Sequence, residues 1–143
     1  MSKLWMILVL LNVGFIWSNA LQDGASSSEA SSVVVDITEE VLHTVNIEVS
    51  EDELTQVVRS LAHVVQYLTL GAFFTLFLMS INKSLAYLYA SGFVMIIDEW
   101  LQTLVPGRAF ELSDLGLDTL GFTLGVSFIL TIILGRKLLC VES

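Results

Sequence analysis

Three predominantly apolar stretches of about 20 residues each, Leu61–Ile81, Leu85–Leu104 and Leu115–Gly135, occupy almost half of this 143-residue chain. A helix rises about 1.5 Å per residue, so a stretch of that length crosses a hydrocarbon core about 30 Å thick. A shorter apolar run, Leu4–Trp17, stands near the N-terminus. Only 15% of the residues are charged and the mean hydropathy is +0.78, whereas soluble domains average about 25% charged. A buried helical core in a soluble protein is the alternative, but too little polar chain remains to cover three such segments. The expected fold class is therefore all-α: one integral membrane bundle of four transmembrane helices with an acidic extracytoplasmic loop.

The few cations fix the expected orientation. Cytoplasmic loops carry the excess of Lys and Arg. Lys3 precedes the first run, Lys83 lies between the second and third, and Arg136 and Lys137 follow the fourth. Four crossings put all of these on one side, opposite Arg59, Arg108 and every acidic residue except Glu142. Both termini are expected in the cytoplasm, in a multi-pass protein of the cell membrane. The organisation expected is a first transmembrane helix at 1–20, an extracytoplasmic loop at 21–58, a three-helix region at 59–135 and a cytoplasmic tail at 136–143. The 14-residue run Leu4–Trp17 is also the length of a signal-peptide core, and Ser18-Asn19-Ala20 fits a cleavage site. Cleaved and retained forms leave the other three segments oriented alike. In the loop, residues 25–32 are a serine-rich low-complexity linker and a helical pattern begins at Asp36. Ser50 with Glu53 fits a capping box that starts the second membrane helix. The loop's acids read as a solvated face, and His43 as a surface histidine.

The net charge of −9 excludes nucleic acid, whose phosphates would be repelled. Cys140 is the only cysteine, so there is no disulfide framework. Beside Arg136 and Lys137 it reads as a free cytoplasmic thiol, with reversible acylation the sharper alternative.

Ionisable residues inside membrane segments are costly and face a bundle interior or a water-filled cavity. Here they gather at the outer ends. Arg59, His63, Gln66 and Tyr67 share one helical face of the second segment. Asp98 and Glu99 precede Gln102 by about one turn on the third. On the fourth, Asp114 and Asp118 are one turn apart, and Gly121 and Gly125 continue their stripe. A small-xxx-small pair lets helix backbones approach closely, so the two aspartates are expected to point into the bundle. Pro106-Gly107 forms a tight turn, followed by Arg108. Counting depth puts His63, Asp98, Glu99, Arg108, Asp114 and Asp118 within about two turns of the outer surface, where one cluster is expected. One reading is structural: Arg59 and Arg108 neutralise nearby carboxylates and lock the packing. The other is a site for a polar headgroup, an ion or a catalytic step, with His63 trading protons with Asp98, Glu99 or Asp114. No residues stand at tight metal-ligand spacing, so no metal site is assigned; a divalent cation held by His63 and carboxylates stays open. No phosphate-binding glycine loop, nucleophile elbow or paired-histidine motif occurs, and the sequence leaves any cofactor unknown.

Three blocks together resemble the VanZ-like membrane proteins. They are Arg59-Ser60-Leu61-Ala62-His63-Val64-Val65-Gln66-Tyr67 with Gly71 beyond, Asp98-Glu99-Trp100-Leu101-Gln102 running on to Pro106-Gly107-Arg108, and Asp114, Asp118, Gly121 and Gly125. The likeness covers roughly residues 59–135, and Phe15-Ile16-Trp17-Ser18 is similar to the end of the family's first helix, which favours a retained first segment. Gln66 stands where the family often has Glu; an amide accepts no proton and is a weak cation ligand. The family is named for an accessory protein of bacterial glycopeptide resistance. The resemblance implies a bacterial envelope protein with an outward polar site. In one functional class that site binds membrane lipid or a lipid-linked cell-wall precursor without chemistry. In the other, a small membrane enzyme acts on a lipid-linked substrate. A proton- or ion-coupled transporter is disfavoured because no charge lies deep in the bilayer segments; Asn12 is the notable mid-membrane polar residue.

Overall fold

Ser50 and Glu53 begin the helix that organises the rest. The Ser50 hydroxyl accepts from the Glu53 amide at 3.4 Å while the Glu53 carboxylate accepts from the Ser50 amide at 3.4 Å. This reciprocal box satisfies two amides that the first turn leaves open. The computed structural model describes residues 1–22, 35, 50–106 and 108–141; the serine-rich linker, the pattern from Asp36, His43 and Gly107 lie outside them. The described residues are helical and contain no strand. In chain order they form α1 (Ser2–Ala20), α2 (Glu51–Ser80), a 3₁₀ stretch (Leu85–Ala90), α3 (Ser91–Gln102) and α4 (Leu112–Val141). Of these, α1, α2 and α4 are long and apolar enough to cross a membrane.

α2 stops at a left-handed residue. Asn82 has φ 53°, a conformation asparagine tolerates better than most side chains. It lets the Lys83 amide reach back to the Leu78 carbonyl and its own amide to that of Met79. The apolar stretch after it is not one helix. Its first six residues wind as 3₁₀, capped by the Ser84 hydroxyl on the Ala86 amide at 3.2 Å, and 12 residues of α3 follow. The Ser91 hydroxyl donates to the Leu88 carbonyl at 2.6 Å, a local bond that competes with the α-helical ladder. At ordinary rises the two pieces measure about 12 and 18 Å, so α3 alone is shorter than a hydrocarbon core. The turn after α3 is closed by the Arg108 amide on the Val105 carbonyl at 3.1 Å, with Pro106 at the second position that its fixed φ favours.

The glycines set how α2 and α4 meet. A Cβ on Gly71 would collide with the Phe122 carbonyl, one on Gly121 with that of Val64, and one on Gly125 with that of Leu68. From His63 against Asp118 to Val64 against Gly121 and Leu68 against Gly125, contacts advance in the same sense along both helices, so they lie parallel, backbone against backbone. A parallel pair requires a returning segment between them, which the 3₁₀ stretch and α3 supply. α1 is antiparallel to α2: its Asn12 amide donates to the Thr69 hydroxyl at 3.3 Å, and Trp5 lies near Phe73. All four helices contribute to one small core of Ile16, Tyr67, Leu70, Met95 and Phe122. Around it, Leu10, Phe93, Phe128 and Leu138 turn outward and are well exposed, a surface suited to lipid.

Candidate functional site

The α2 stripe enters the bundle at His63. Its ring lies across the first turns of α4, with Nδ1 2.9 Å from Asp118 Oδ1 and Nε2 3.8 Å from Asp114 Oδ2. One aspartate lies against each ring nitrogen because α4 places them one turn apart. Asp118 is wholly buried, as is Tyr67 one turn below His63. Asp114 lies in the first turn of α4, where the helix dipole favours a negative charge.

α3 brings its polar face against the same place. Asp98, Glu99 and Gln102 are all buried. Gln102 Nε2 donates to Glu99 Oε1 at 3.0 Å, and the Glu111 amide donates to Glu99 Oε2 at 3.0 Å. Glu99 therefore ties α3 to the approach to α4. Depth counting puts Glu99 within about two turns of the outer surface, yet its exposure is 0%, because the chain between α3 and α4 folds back over it.

The arginines depart from the expected neutralising role. Among the described residues no carboxylate lies within 4.0 Å of Arg59 or Arg108. Arg108 Nη1 instead donates to the carbonyls of Asn19, Ala20 and Gln22 at 3.3, 3.4 and 3.4 Å. Those carbonyls close the C-terminal end of α1, where a helix leaves acceptors unpaired and its dipole is negative. Burial holds the Arg108 guanidinium below its usual pKa, and the like charge of Arg59 acts in the same direction. Arg59 is exposed.

Two clefts flank the Arg59–His63 stripe. The larger, of about 410 Å³, has an apolar wall of Phe15, Ile16 and Val58, with Gln66, Asp98 and Arg108 among its polar lining. The smaller, of about 310 Å³, lies toward Glu111 and Asp114. Arg59 and His63 line both. Within this frame His63, Asp98, Glu99 and Asp118 each present one ligand-type atom, and the four atoms lie within 4.8 Å of one another. One buried oxygen in this region, Asp118 Oδ2, has no hydrogen-bond partner.

Of the residues singled out from sequence, His63, Asp98, Glu99 and Asp118 come together. Tyr67, Gln102 and Asp114 adjoin them, and Arg59, Gln66 and Arg108 line the larger cleft. Sequence reading missed the partners supplied by backbone, the three α1 carbonyls and the Glu111 amide. Every residue has those groups, so no side-chain pattern marks them. Trp17, whose indole donates to the Val94 carbonyl at 3.4 Å, was legible only as part of the family resemblance.

An all-helical chain with three helices of membrane length, gathering a histidine and carboxylates between helix ends, has the make-up of an integral membrane protein with a buried polar centre. The chain belongs to the VanZ/LLP1 family, which it matches over residues 3–134. That match takes in α1 as well as the region from α2 to α4. No curated protein and no solved structure matches it.

Proposed function

We propose that this is a bacterial envelope protein that binds the polar head of an amphiphile, an anionic lipid or a lipid-linked cell-wall precursor, in the larger cleft. It crosses the membrane several times with both termini in the cytoplasm, so that the cleft opens at the outer face. The observation that carries the reading is the make-up of the cleft. Arg59 and Arg108 supply positive charge, Gln66 and Asp98 offer hydrogen bonds, and Phe15, Ile16 and Val58 form an apolar wall. A head bearing phosphate together with hydroxyl or amine donors meets each of these groups, and its acyl chain continues along the wall. The volume of about 410 Å³ falls in the range of about 300–1,000 Å³ usual for small-molecule sites.

The test is a lipid titration with the full chain in nanodiscs, read by native mass spectrometry. Saturable binding of a phosphate-bearing lipid is expected, weakened about tenfold or more in Arg59→Gln, since a charge-assisted hydrogen bond contributes about 1.5–3 kcal/mol. Arg59 is exposed, so this variant leaves the packing unchanged. Equal binding of zwitterionic and anionic lipids by both proteins sinks the reading. In cells, His63→Gln is expected to keep membrane abundance while losing any shift in glycopeptide susceptibility.

A second reading is favoured by one distance, the 2.9 Å between His63 Nδ1 and Asp118 Oδ1. A histidine oriented by a carboxylate is a general base within reach of the cleft, as a small enzyme acting on a lipid-linked substrate requires. Release of a water-soluble product from a labelled lipid-linked precursor separates that activity from binding alone.

A further inference from the structure

We infer that His63, Asp98, Glu99 and Asp118 form the binding centre for one divalent transition cation, of the Mn²⁺ or Zn²⁺ type, in the floor of the larger cleft. Three helices contribute. His63 comes from α2, Asp98 and Glu99 from α3, and Asp118 from α4. Their four candidate ligand atoms lie within 4.8 Å of one another. Imidazole and carboxylate ligands stand about 2.0–2.4 Å from such ions, so opposite ligands are up to about 4.8 Å apart. The protein therefore brings the donors to a separation that a single ion spans without rearrangement of the helices.

Charge leads to the same place. Asp98, Glu99 and Asp118 are exposed by 3, 0 and 0%. Buried carboxylates need a cation or donors; Glu99 has two donors and Asp118 Oδ1 has His63, but among the described residues neither arginine comes within salt-bridge distance of the three acids. A cluster of acids by itself would not define a site. The independent sign is Asp118 Oδ2, a fully buried carboxylate oxygen with no hydrogen-bond partner. Unsatisfied buried oxygens are rare, and one on a carboxylate beside a histidine and two further acids is placed to coordinate a cation.

The surroundings are those of an ion centre. Gln102 and the Glu111 amide hold the two oxygens of Glu99, leaving lone pairs free and the carboxylate fixed. With Nδ1 on the ion, the other ring nitrogen of His63 faces Asp114. A carboxylate in that position sets the tautomer and raises the basicity of the ligand. One imidazole among several carboxylates suits Mn²⁺ or Zn²⁺ better than Ca²⁺ or Mg²⁺, which prefer oxygen alone. Asp98 and His63 also line the cleft, so a ligand in the cleft reaches the ion.

The experiment uses the full chain in nanodiscs of zwitterionic lipid, stripped with chelator and titrated with Mn²⁺ under electron paramagnetic resonance. One Mn²⁺ bound per chain is expected, displaced by Zn²⁺, with ¹⁴N modulation from a histidine ligand. Binding should weaken at least tenfold in Asp118→Asn and Glu99→Gln proteins of unchanged helix content, and about tenfold in Asp114→Asn. Absence of saturable binding, or affinity unchanged in folded Asp118→Asn, overturns the inference and leaves protons as the neutralising charge. Should the acid variants not fold, the nitrogen signal decides. Its absence in the wild type, or its persistence in His63→Gln, overturns the proposal; its loss in His63→Gln upholds it. No anionic headgroup is present in this titration, so its outcome is independent of the lipid-binding reading.

Discussion

Glu99 shows how much a single side chain carries here. Both of its oxygens accept hydrogen bonds, from Gln102 and from the Glu111 amide, and it sees no solvent. In Glu99→Gln one carboxamide oxygen still accepts, but the new NH₂ must face one of those two donors. A buried donor without an acceptor costs about 1–3 kcal/mol, so a fall in thermal midpoint is expected when unfolding is followed in detergent. His63→Gln, part-exposed between two aspartates, is expected to cost less. If Glu99→Gln unfolds no earlier than His63→Gln, the role given to Glu99 in joining α3 to α4 is wrong. Arg108 acts through carbonyls and not through carboxylates. Arg108→Gln should loosen the end of α1, seen as faster amide hydrogen exchange at residues 19–22.

Among the elements, α2 and α4 depend on having no side chain where they touch. A Cβ at Gly125 would run into the Leu68 carbonyl and lie 2.9 Å from the Ala72 nitrogen; neither is the movable end of a side chain. Gly125→Ala is expected to destabilise by about 1–3 kcal/mol, the usual penalty of overpacking, and Gly125→Val by more. Gly135, with open space around it, is the control, and Gly135→Ala should be nearly neutral in the same thermal assay. Equal effects at the two positions contradict the backbone contact. The glycine pattern was readable as a packing face, but not its partner, because GxxxG spacing says that a backbone approaches and not which one. The break between the 3₁₀ stretch and α3 was hidden for a related reason. Hydropathy reports that a segment is apolar, and local hydroxyl bonds decide how it winds.

At the scale of the whole molecule, the helices alternate in direction, with α1 and α2 antiparallel and α2 and α4 parallel. The proposed topology adds that the helices cross a membrane and which end faces outward. In a Cys140→Ser background, a cysteine at position 28 should be labelled by an impermeant reagent applied to intact cells, and one at position 143 should not. The reverse pattern would overturn the orientation and with it the outward-opening cleft.

The sequence by itself determined that the chain is helical and built for a membrane, because hydropathy and length are sums over neighbours in the chain. It also marked the polar residues, since a charge in an apolar segment is expensive wherever it ends up. Their helical spacing showed which of them share a face. Tertiary structure alone decided what each one meets. Arg108 turned to the carbonyls of α1, Glu99 went under the α3–α4 turn, and His63 settled between two aspartates. These choices rest on backbone groups and on the mutual depth of helices far apart in sequence, neither of which leaves a trace in the spacing of residue types.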